Sequence, residues 1–459
     1  MTRGELPESR GGFKAYDIRG VIPTEINEEL AYRVGRAYAE MYHPEKVAVG
    51  RDIRLSSESL ASAVMEGLCD GGADVCDIGL CGTEMVYFAV FHYGLSGGIM
   101  ITASHNPKDN NGLKLVREEG IPISADTGLK EIEERVYAGN FTEPERRGTV
   151  TALDVMDDYI RHILGYADIR RMKPLSIVAD AGNGGAGLVF EKLKPHLPFR
   201  FTEMYMEPDG TFPHGVPNPM LPENRGPLIE KVKETGADMG IAWDGDFDRC
   251  FFVDHEGRFV EGYYMVGLLA GYFLEKYPGE TVVHDPRCFW NTEEIAEKLG
   301  GRAVESKGGH AFMKETLRRV RGVYGAEMSA HHFFRDFSYC DSGMIPWLIV
   351  AEIVSATGKS LAALVREMEE RYPVSGEINL PARDVAGVLR AAEEKYRSEA
   401  KEISHLDGVS MDFGSWRFNL RPSNTEPLIR FNMETRGDRA LLEQKEKEVM
   451  DFIRAANEQ

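Results

Sequence analysis

Cysteine is scarce in this sequence and follows no recognisable pairing or metal-binding pattern. The chain has six cysteines among 459 residues, and none of them belongs to a CxxC motif. A disulfide framework and a cysteine-based metal site are therefore not expected. The thiols are predicted to be reduced and mostly buried, as is typical of a cytoplasmic protein.

Long apolar segments are also missing. The first residues, MTRGELPESRGGFKAYD, have no apolar core, so no signal peptide is expected. The longest apolar run, MIPWLIVAEIVSA, is interrupted by Glu352 and is too short to span a bilayer. No membrane association is predicted, and 42% hydrophobic with 28% charged residues is ordinary for a globular protein.

Basic residues are outnumbered by acidic ones. There are 54 Lys and Arg against 74 Asp and Glu, which gives a formal net charge of −20. This charge repels nucleic acids and anionic membranes, so no nucleic-acid partner is expected. An anionic small substrate remains compatible if basic residues gather in a pocket. No motif indicates the oligomeric state, and both a monomer and a homodimer stay open.

One local plan occurs three times along the chain. Strand, polar loop, amphipathic helix and second strand begin at VAVGRD (47–52), LSIVADAGNGG (175–185) and TVVHDPR (281–287). The plan predicts α/β domains with helix-linked parallel strands. Each copy also has a later strand that ends in a polar loop: SHNP, DGDFDR and MSAHH. Because ligands bind outside the carboxyl ends of such strands, these loops are predicted to wall one site.

The C-terminal residues follow a different plan. Alternation of apolar residues around Phe418 and again around Phe431 predicts two antiparallel strands joined by RPSNTEP. We therefore expect four domains, at 1–150, 151–254, 255–370 and 371–459. The first three are predicted to be similar α/β domains with mixed sheets, and the fourth an α+β domain.

Three alternating aspartates in WDGDFDRC predict a metal site. In an extended chain Asp244, Asp246 and Asp248 project to one side, roughly 6 to 7 Å apart. Neighbouring carboxylates repel unless a cation lies among them, and hard oxygen ligands favour Mg²⁺ or Ca²⁺. The alternatives are a solvated acidic turn and an aspartyl-phosphate nucleophile of DxDx[TV] type. The latter is disfavoured because Asp248 stands where Thr or Val is required.

Two further loops carry groups suited to a sugar phosphate. RPSNTEP offers Arg421, Ser423, Asn424, Thr425 and backbone N–H groups as a cradle for a phosphate. A capping box is the alternative, but strand alternation follows instead of a helix.

GAEMSAHH places Glu327 and Ser329 on one side of an extended loop, suited to hydrogen-bonding two neighbouring hydroxyls. The adjacent His331 and His332 should face opposite ways, and a structural role is expected for each.

A glycine-rich turn raises a different hypothesis. Gly182, Gly184 and Gly187 fit GxGxxG, and Glu203 follows at the spacing of a dinucleotide-binding fingerprint. An NAD-dependent dehydrogenase is therefore an alternative, although a tight strand-to-helix turn explains the same glycines equally well.

Ser104 lies at the end of the strand GIMITA. TASHN lacks the glycines of a hydrolase elbow, and His105 should face away from its neighbour in an extended segment. PKDNNG is a poor helix start, which disfavours a capping role. Beside a metal loop and a phosphate cradle, the Ser104 oxygen could instead carry a phosphoryl group.

The motifs together resemble a known family. FKAYDIRG, TASHNP, DGDFDR, GAEMSAHH and RPSNTEP occur in this order, as in the α-D-phosphohexomutases, and most closely the bacterial phosphomannomutases. The resemblance implies that the fourth domain is TATA-box-binding-protein-like and that all four domains surround a central cleft. It also implies interconversion of mannose 6-phosphate and mannose 1-phosphate through a phosphoserine and a hexose 1,6-bisphosphate, which supplies GDP-mannose synthesis. Dual phosphomannomutase/phosphoglucomutase specificity and a non-catalytic sugar-phosphate-binding protein remain alternatives.

The resemblance also assigns roles to individual residues. Ser104 resembles the phosphoserine, and with Asp244, Asp246 and Asp248 it would hold Mg²⁺. Around the transferred phosphoryl it places Arg249, Lys114 and His105, with Lys114 and Arg19 as candidates for proton transfer or charge stabilisation. Glu327 and Ser329 resemble the sugar-hydroxyl contacts, and the clamp on the non-reacting phosphate is matched by Arg421, Ser423, Asn424, Thr425 and Arg430. Further cleft positions are matched by Tyr16, Arg287 and His310.

Mannose or glucose 1- and 6-phosphates are the implied substrates, with hexose 1,6-bisphosphate as activator. Three positions depart from the family pattern: Gly308 replaces a threonine, Ala326 a glycine and Phe334 a tyrosine. These bear on fine specificity and rate.

Overall fold

The computed structural model describes residues 4–423 and 428–457. The chain divides into two compact units, one made of Met1–Phe259 and Ala330–Gly358 and the other of Val260–Ser329 and Lys359–Gln459. Within the described ranges, no single helix is both long and apolar enough to cross a membrane. All six cysteines are free and buried, as predicted.

The strands, in chain order, are β1 (Ile18–Val21), β2 (Lys46–Arg51), β3 (Asp74–Leu80), β4 (Gly97–Ile101), β5 (Asn110–Arg117), β6 (Val150–Ala152), β7 (Ser176–Asp180), β8 (Arg200–Met204), β9 (Met239–Trp243), β10 (Cys250–Asp254), β11 (Phe259–Val260), β12 (Thr281–His284), β13 (Arg302–Glu305), β14 (Tyr324–Ala326), β15 (His332–Phe334), β16 (Cys340–Asp341), β17 (Ile378–Pro381), β18 (Glu402–Ser404), β19 (Val409–Asp412), β20 (Trp416–Pro422) and β21 (Leu428–Thr435).

The α-helices are α1 (Glu28–Tyr42), α2 (Ser57–Asp70), α3 (Thr83–His92), α4 (Lys130–Ala138), α5 (Met156–Leu164), α6 (Ala186–Leu193), α7 (Gly226–Thr235), α8 (Gly262–Lys276), α9 (Phe289–Lys298), α10 (His310–Val320), α11 (Met344–Thr357), α12 (Leu361–Arg371), α13 (Val385–Tyr396) and α14 (Arg439–Asn457).

Two mixed sheets form the framework of the first unit. The first has the strand order β1-β5-β4-β2-β3-β6, with β2 parallel to β3 and β4 and with β5 antiparallel to β4. In the second, β7 is parallel to β8 and β9, and β9 turns back into antiparallel β10. Helices α2 and α6 connect the parallel pairs, so the first two predicted copies of the plan are confirmed.

The second unit contains the third copy and an antiparallel sheet. Strand β12 pairs in parallel with β13, which follows α9, and with β14. The C-terminal sheet has the order β17-β21-β20-β19-β18, with every neighbouring pair antiparallel. Apolar residues of this sheet and of α13 and α14 form one core, including Phe418, Phe431 and Val449. The predicted α+β character of this region is confirmed.

The polar segments follow strand ends, as predicted. Strand β4 ends three residues before Ser104, and β9 ends immediately before Asp244. In the second unit, β14 ends immediately before Glu327. The carboxyl ends of parallel strands thus carry the candidate functional residues.

A buried carboxyl group lies near the start of α3. Glu84 is fully buried in the first unit and contacts the hydroxyl of Tyr159 on α5. Burial, only partly offset by hydrogen bonds from Ser342 and Tyr159, raises the pKa of Glu84 from 4.5 to about 8. Between pH 4.5 and about 8 the folded protein therefore retains a proton on Glu84 that the unfolded chain has already lost.

We expect this proton to make stability depend on pH. The free energy of unfolding should fall as the pH rises from about 5 to 8, because the raised pKa opposes ionisation in the folded state. In Glu84→Gln, which keeps the shape without the charge, this fall should be smaller by at least about 1 kcal/mol. Urea unfolding of both proteins at pH 5.5 and 8 measures the difference. An equal fall in both proteins would contradict the burial argument.

Candidate active site

Ser104 lies in the loop between β4 and β5 with its side chain turned into the first unit. The residue is 4% exposed and has φ of 50°, in the left-handed region. Its Oγ donates to Asp244 Oδ2 at 2.8 Å and lies 3.1 Å from His105 Nδ1. The expectation that His105 faces away from Ser104 is therefore wrong, because the left-handed backbone at Ser104 replaces the extended segment assumed from the sequence. Ser104 caps no helix.

A buried arginine that the sequence argument missed holds this loop in place. Arg54 Nη2 donates to the carbonyls of Ser104 (2.9 Å) and Asn106 (2.6 Å). Its Nη1 donates to those of Pro107 (2.7 Å) and Asn110 (2.9 Å). One guanidinium thus satisfies four carbonyls of an irregular loop, which fixes the position of the Ser104 side chain. The one signal in the sequence was its position three residues after β2, at the end of VAVGRDIR.

The three aspartates converge more closely than predicted. Asp244, Asp246 and Asp248 are buried in the turn between β9 and β10, where Phe247 has φ of 49°. One carboxylate oxygen of each lies within 4.8 Å of the others. The extended geometry assumed from the sequence is wrong, because a hairpin turn joins antiparallel strands here. Folding the aspartates around a turn concentrates their charge.

Two oxygens of this cluster point to a bound cation. Among the described residues, Asp246 Oδ1 and Asp248 Oδ1 are buried and have no hydrogen-bond partner. Buried carboxylate oxygens are costly unless a hydrogen bond or a cation satisfies them. The donor set consists of hard oxygen atoms, which fits a metal ion of the Mg²⁺ or Ca²⁺ kind. The residues present therefore suit a metal site.

Lys114 on β5 partly neutralises the aspartates. Its Nζ lies 2.8 Å from Asp246 Oδ2 and 2.7 Å from Asp248 Oδ2. Burial alone would lower the pKa of Lys114, but these two carboxylates raise it above its usual value. The pKa of Asp246 is lowered, since Lys114 outweighs the effect of burial. Burial and Asp246 raise the pKa of Asp248 to about 6. At neutral pH Lys114 is thus a fixed positive charge.

Arg249 joins the serine loop to the aspartate loop. Its Nε and Nη2 donate to Asp244 Oδ2 at 3.0 and 2.9 Å, and Nη2 lies 2.5 Å from His105 Nδ1. Burial, and then the charge of Arg249, lowers the pKa of His105 well below its usual value. His105 is therefore a neutral imidazole that accepts from Arg249. Arg19, also predicted, binds Asp17 and donates from Nη1 to Asn106 Oδ1 at 2.8 Å.

A histidine–aspartate pair beside the aspartates was missed. His331 Nδ1 lies 2.8 Å from Asp341 Oδ2 and 3.9 Å from Asp248 Oδ1. An imidazole held by a buried carboxylate is the usual arrangement of a general base. The sequence predicted a structural role for His331, because it and the adjacent His332 should face opposite ways. No motif links His331 to Asp341, which is ten residues away. The hairpin of β15 and β16 brings them together.

The sugar-binding candidates lie in the second unit. Glu327 is 3% exposed, and its Oε1 accepts from the N–H of Gly309 at 2.6 Å, just before His310 begins α10. Arg287 Nη2 lies 3.8 Å from the same oxygen. Ser329 follows within a turn, so the extended loop assumed for this pair is wrong. Glu327 is nevertheless oriented by Gly309 and Arg287.

The phosphate cradle is partly described. Arg421 and Arg430 lie on β20 and β21, and Arg430 Nη2 donates to Ser423 Oγ at 3.4 Å. Asn424 and Thr425 lie outside the described residues. Tyr16, the remaining predicted residue, lies in a partly buried bend of the first unit, two residues before β1.

The glycine-rich turn has a packing role. Gly185 N donates to the carbonyl of Gly245 at 3.0 Å, and a Cβ on Gly187 would lie 1.8 Å from the carbonyl oxygen of Met206. Glu203, which a dinucleotide ribose would need, pairs with Lys194 at 2.7 Å. These glycines allow the turn to support the aspartate loop, and the dehydrogenase alternative gains nothing from them.

Comparison with known proteins covers most of the chain. Models of the phosphoglucomutase/phosphomannomutase family match in four segments: α/β/α domain I at 10–143, domain II at 157–257, domain III at 261–372 and the C-terminal domain at 363–452. The predicted fold class is thereby confirmed.

Individual relatives agree with the family models. The chain is 54% identical to phosphohexose mutases of Xanthomonas campestris pv. campestris, over 96% of this chain and 99% of that protein. It is 51% identical to a phosphomannomutase of Salmonella montevideo, with coverages of 96% and 98%. A crystal structure of a phosphoglucomutase/phosphomannomutase family protein from Burkholderia thailandensis superposes with a TM-score of 0.88 at 30% identity, covering 98% of both chains. The family resemblance seen in the motifs is confirmed: this chain belongs to the phosphoglucomutase/phosphomannomutase family.

Proposed function

We propose that the protein is a phosphomannomutase, which interconverts mannose 6-phosphate and mannose 1-phosphate through a phosphoserine at Ser104 and a hexose 1,6-bisphosphate. The observation that carries the proposal is the hydrogen bond from the buried Ser104 Oγ to Asp244, one of three clustered aspartates. Arg249 donates to the same carboxylate. The relatives named phosphomannomutase supply the sugar. Its product would feed GDP-mannose synthesis in the cytoplasm.

Asp244, Asp246 and Asp248, with an oxygen on Ser104, would hold Mg²⁺. Their orphaned oxygens and hard donor set support this assignment. When bound, the ion would neutralise part of the charge on the transferred phosphoryl group.

The transfer itself breaks the bond between phosphorus and Ser104 Oγ while a hydroxyl oxygen of the hexose phosphate forms a new bond to phosphorus. Lys114, Arg249 and Arg19 keep their protons, because neighbouring carboxylates raise their pKa against the effect of burial. We therefore assign these three to charge stabilisation, which dominates phosphoryl-transfer catalysis. The hydroxyl proton goes to His331, which Asp341 orients.

The second half-reaction runs in reverse with the other phosphate. The bisphosphate intermediate turns around. The bond between its original phosphate and the sugar oxygen breaks as Ser104 Oγ forms a new bond to phosphorus, which restores the phosphoserine, and His331 returns its proton to that sugar oxygen. The non-reacting phosphate is held each time by Arg421, Ser423, Asn424, Thr425 and Arg430, while Arg287, His310 and Tyr16 contact the substrate. Added hexose 1,6-bisphosphate would activate the protein by phosphorylating Ser104.

Sugar specificity is the basis for a second candidate function. Glu327 and Ser329 would bind two neighbouring ring hydroxyls away from C2, where mannose and glucose differ. This arrangement favours activity on both sugars, so dual phosphomannomutase/phosphoglucomutase specificity is the second candidate. Gly308, Ala326 and Phe334 would act on rate and fine specificity only.

Replacing the nucleophile tests the proposed function. Ser104→Ala should lower mannose 1-phosphate turnover at least ~10³-fold, since the variant lacks the hydroxyl that carries the phosphoryl group in the proposed cycle. Turnover is measured with Mg²⁺ and a trace of hexose 1,6-bisphosphate, on mannose and glucose 1-phosphates in parallel. The ratio of the two rates separates the two candidates.

The matched control is Ser59→Ala, which removes an exposed hydroxyl bonded to Glu28. It should keep wild-type turnover and accept one phosphoryl group by intact mass. Turnover that survives in Ser104→Ala would contradict the phosphoserine cycle.

Metal binding can be tested without turnover. Millimolar Mg²⁺ should raise the midpoint of thermal unfolding of chelator-treated protein by several degrees, because the ion relieves repulsion among buried carboxylates. Asp248→Asn should abolish most of this rise, whereas Asp126→Asn, an exposed change of the same charge, should keep it. An undiminished rise in Asp248→Asn would place the ion elsewhere.

A further inference from the structure

Three arginines of the second unit converge on one carboxylate. Glu377 Oε2 accepts from Arg287 Nη1 at 2.7 Å and from Arg421 Nη2 at 3.1 Å. Its Oε1 accepts from Arg430 Nη1 at 3.0 Å. The Glu377 side chain is 9% exposed, so these contacts are largely shielded from solvent. We call Arg287, Arg421 and Arg430 the arginine cluster.

The sheet register explains why Glu377 reaches two of these arginines. Arg421 on β20 and Arg430 on β21 lie directly opposite each other, and Arg430 is also opposite Asn379 on β17. Glu377 immediately precedes β17, two residues before Asn379, and its carboxylate contacts both arginines there. Like charges directly opposite on paired strands repel each other. A carboxylate at this position offsets that repulsion.

The cluster resembles a phosphate site that already contains an anion. Guanidinium groups that converge from several elements are typical of phosphate recognition, and here a carboxylate takes their hydrogen bonds. Arg287 has a second carboxylate, since its Nε donates to Asp285 Oδ2 at 3.0 Å. The pKa of Glu377 agrees with this role: burial would raise it, but the three arginines lower it to about 2. Glu377 is thus fully charged at neutral pH.

We propose that Glu377 is a positioning residue and the internal counter-ion of the arginine cluster. It holds the three arginines together, and it gives up part of its contacts with them when the non-reacting phosphate binds. Two negative charges on the phosphate outcompete one on the carboxylate for Arg421 and Arg430. Arg287 keeps Asp285 as its partner during the exchange. Glu377 thereby weakens phosphate binding while keeping the cluster preorganised.

Weaker phosphate binding would assist the proposed reaction. This part of the inference rests on the proposed function. A bisphosphate that must turn around between two transfers has to leave the cluster after the first. Binding that is equally tight in every state slows such a step without helping the chemistry. An internal anion that replaces the departing phosphate lowers the free energy needed for its release.

Phosphate binding to Glu377 variants tests the proposal. The probe is inorganic phosphate, titrated calorimetrically without Mg²⁺ into dephosphorylated protein. Glu377→Gln keeps the size of the side chain and removes its charge, so it should bind phosphate at least about tenfold more tightly than wild type. Glu377→Asp, whose carboxylate is withdrawn by one methylene, should gain a smaller factor, about threefold. A merely structural role for Glu377 predicts weaker binding in both variants.

Two controls attribute the gain to the cluster. Asp451→Asn makes the same charge change on α14, where Asp451 pairs only on the exposed surface with Lys447 and Arg454. It should bind phosphate as the wild type does. Adding Arg430→Gln to Glu377→Gln should remove most of the gain, since the two residues are coupled.

Unchanged or weaker binding in Glu377→Gln would overturn the proposal, as would a gain that survives Arg430→Gln or also occurs in Asp451→Asn. Unfolding of both Glu377 variants would also overturn it, by making the residue structural. Wild-type turnover is measured separately on the same sample. If turnover is absent while Glu377→Gln gains affinity, the proposed function fails and the counter-ion role stands.

Discussion

Repulsion among three buried carboxylates is the constraint around which the first unit is built. Asp244, Asp246 and Asp248 occupy one tight turn, and their charges must be balanced inside the protein. Lys114 and Arg249 supply two positive charges, and the remaining orphaned oxygens fit a metal ion. Ser104 Oγ is bonded to this cluster, so a phosphoryl group on that oxygen would add further negative charge. A metal and several fixed cations are what such a group needs.

In the second unit the charges that lie close together are positive, and a carboxylate balances them. Arg287, Arg421 and Arg430 converge, and Glu377 keeps them together. In the first unit positive charges balance the three aspartates, whereas in the second the carboxylate of Glu377 balances the arginine cluster. The first suits the chemistry of phosphoryl transfer, and the second suits binding of a phosphate that does not react. The aspartates lie in a turn between two strands, whereas Arg421 and Arg430 lie within paired strands.

The sequence predicted the regular parts well, because the spacing of apolar residues directly determines strands and helices. It also indicated Ser104, the three aspartates and Glu327 as candidate functional residues. It failed where local backbone geometry departs from the extended chain. The left-handed conformation of Ser104 turns His105 towards its neighbour, and the hairpin turn at Phe247 concentrates the aspartates.

Partners distant along the chain were also missed. Arg54, Asp341 and Glu377 act through contacts with residues that the fold brings to them, and no local pattern distinguishes them from other charged residues. Glu377 is the clearest case, because its role depends on the register of three strands. Such residues become visible only when the pairing of strands is known.

The most direct test of the account follows the phosphoryl group itself. Protein that carries isotopically labelled phosphate on Ser104 is mixed for a single turnover with unlabelled mannose 6-phosphate and Mg²⁺. The account predicts that the label moves to the sugar phosphates while the protein remains phosphorylated with unlabelled phosphate. Label released as inorganic phosphate, or retained on the protein, would contradict it.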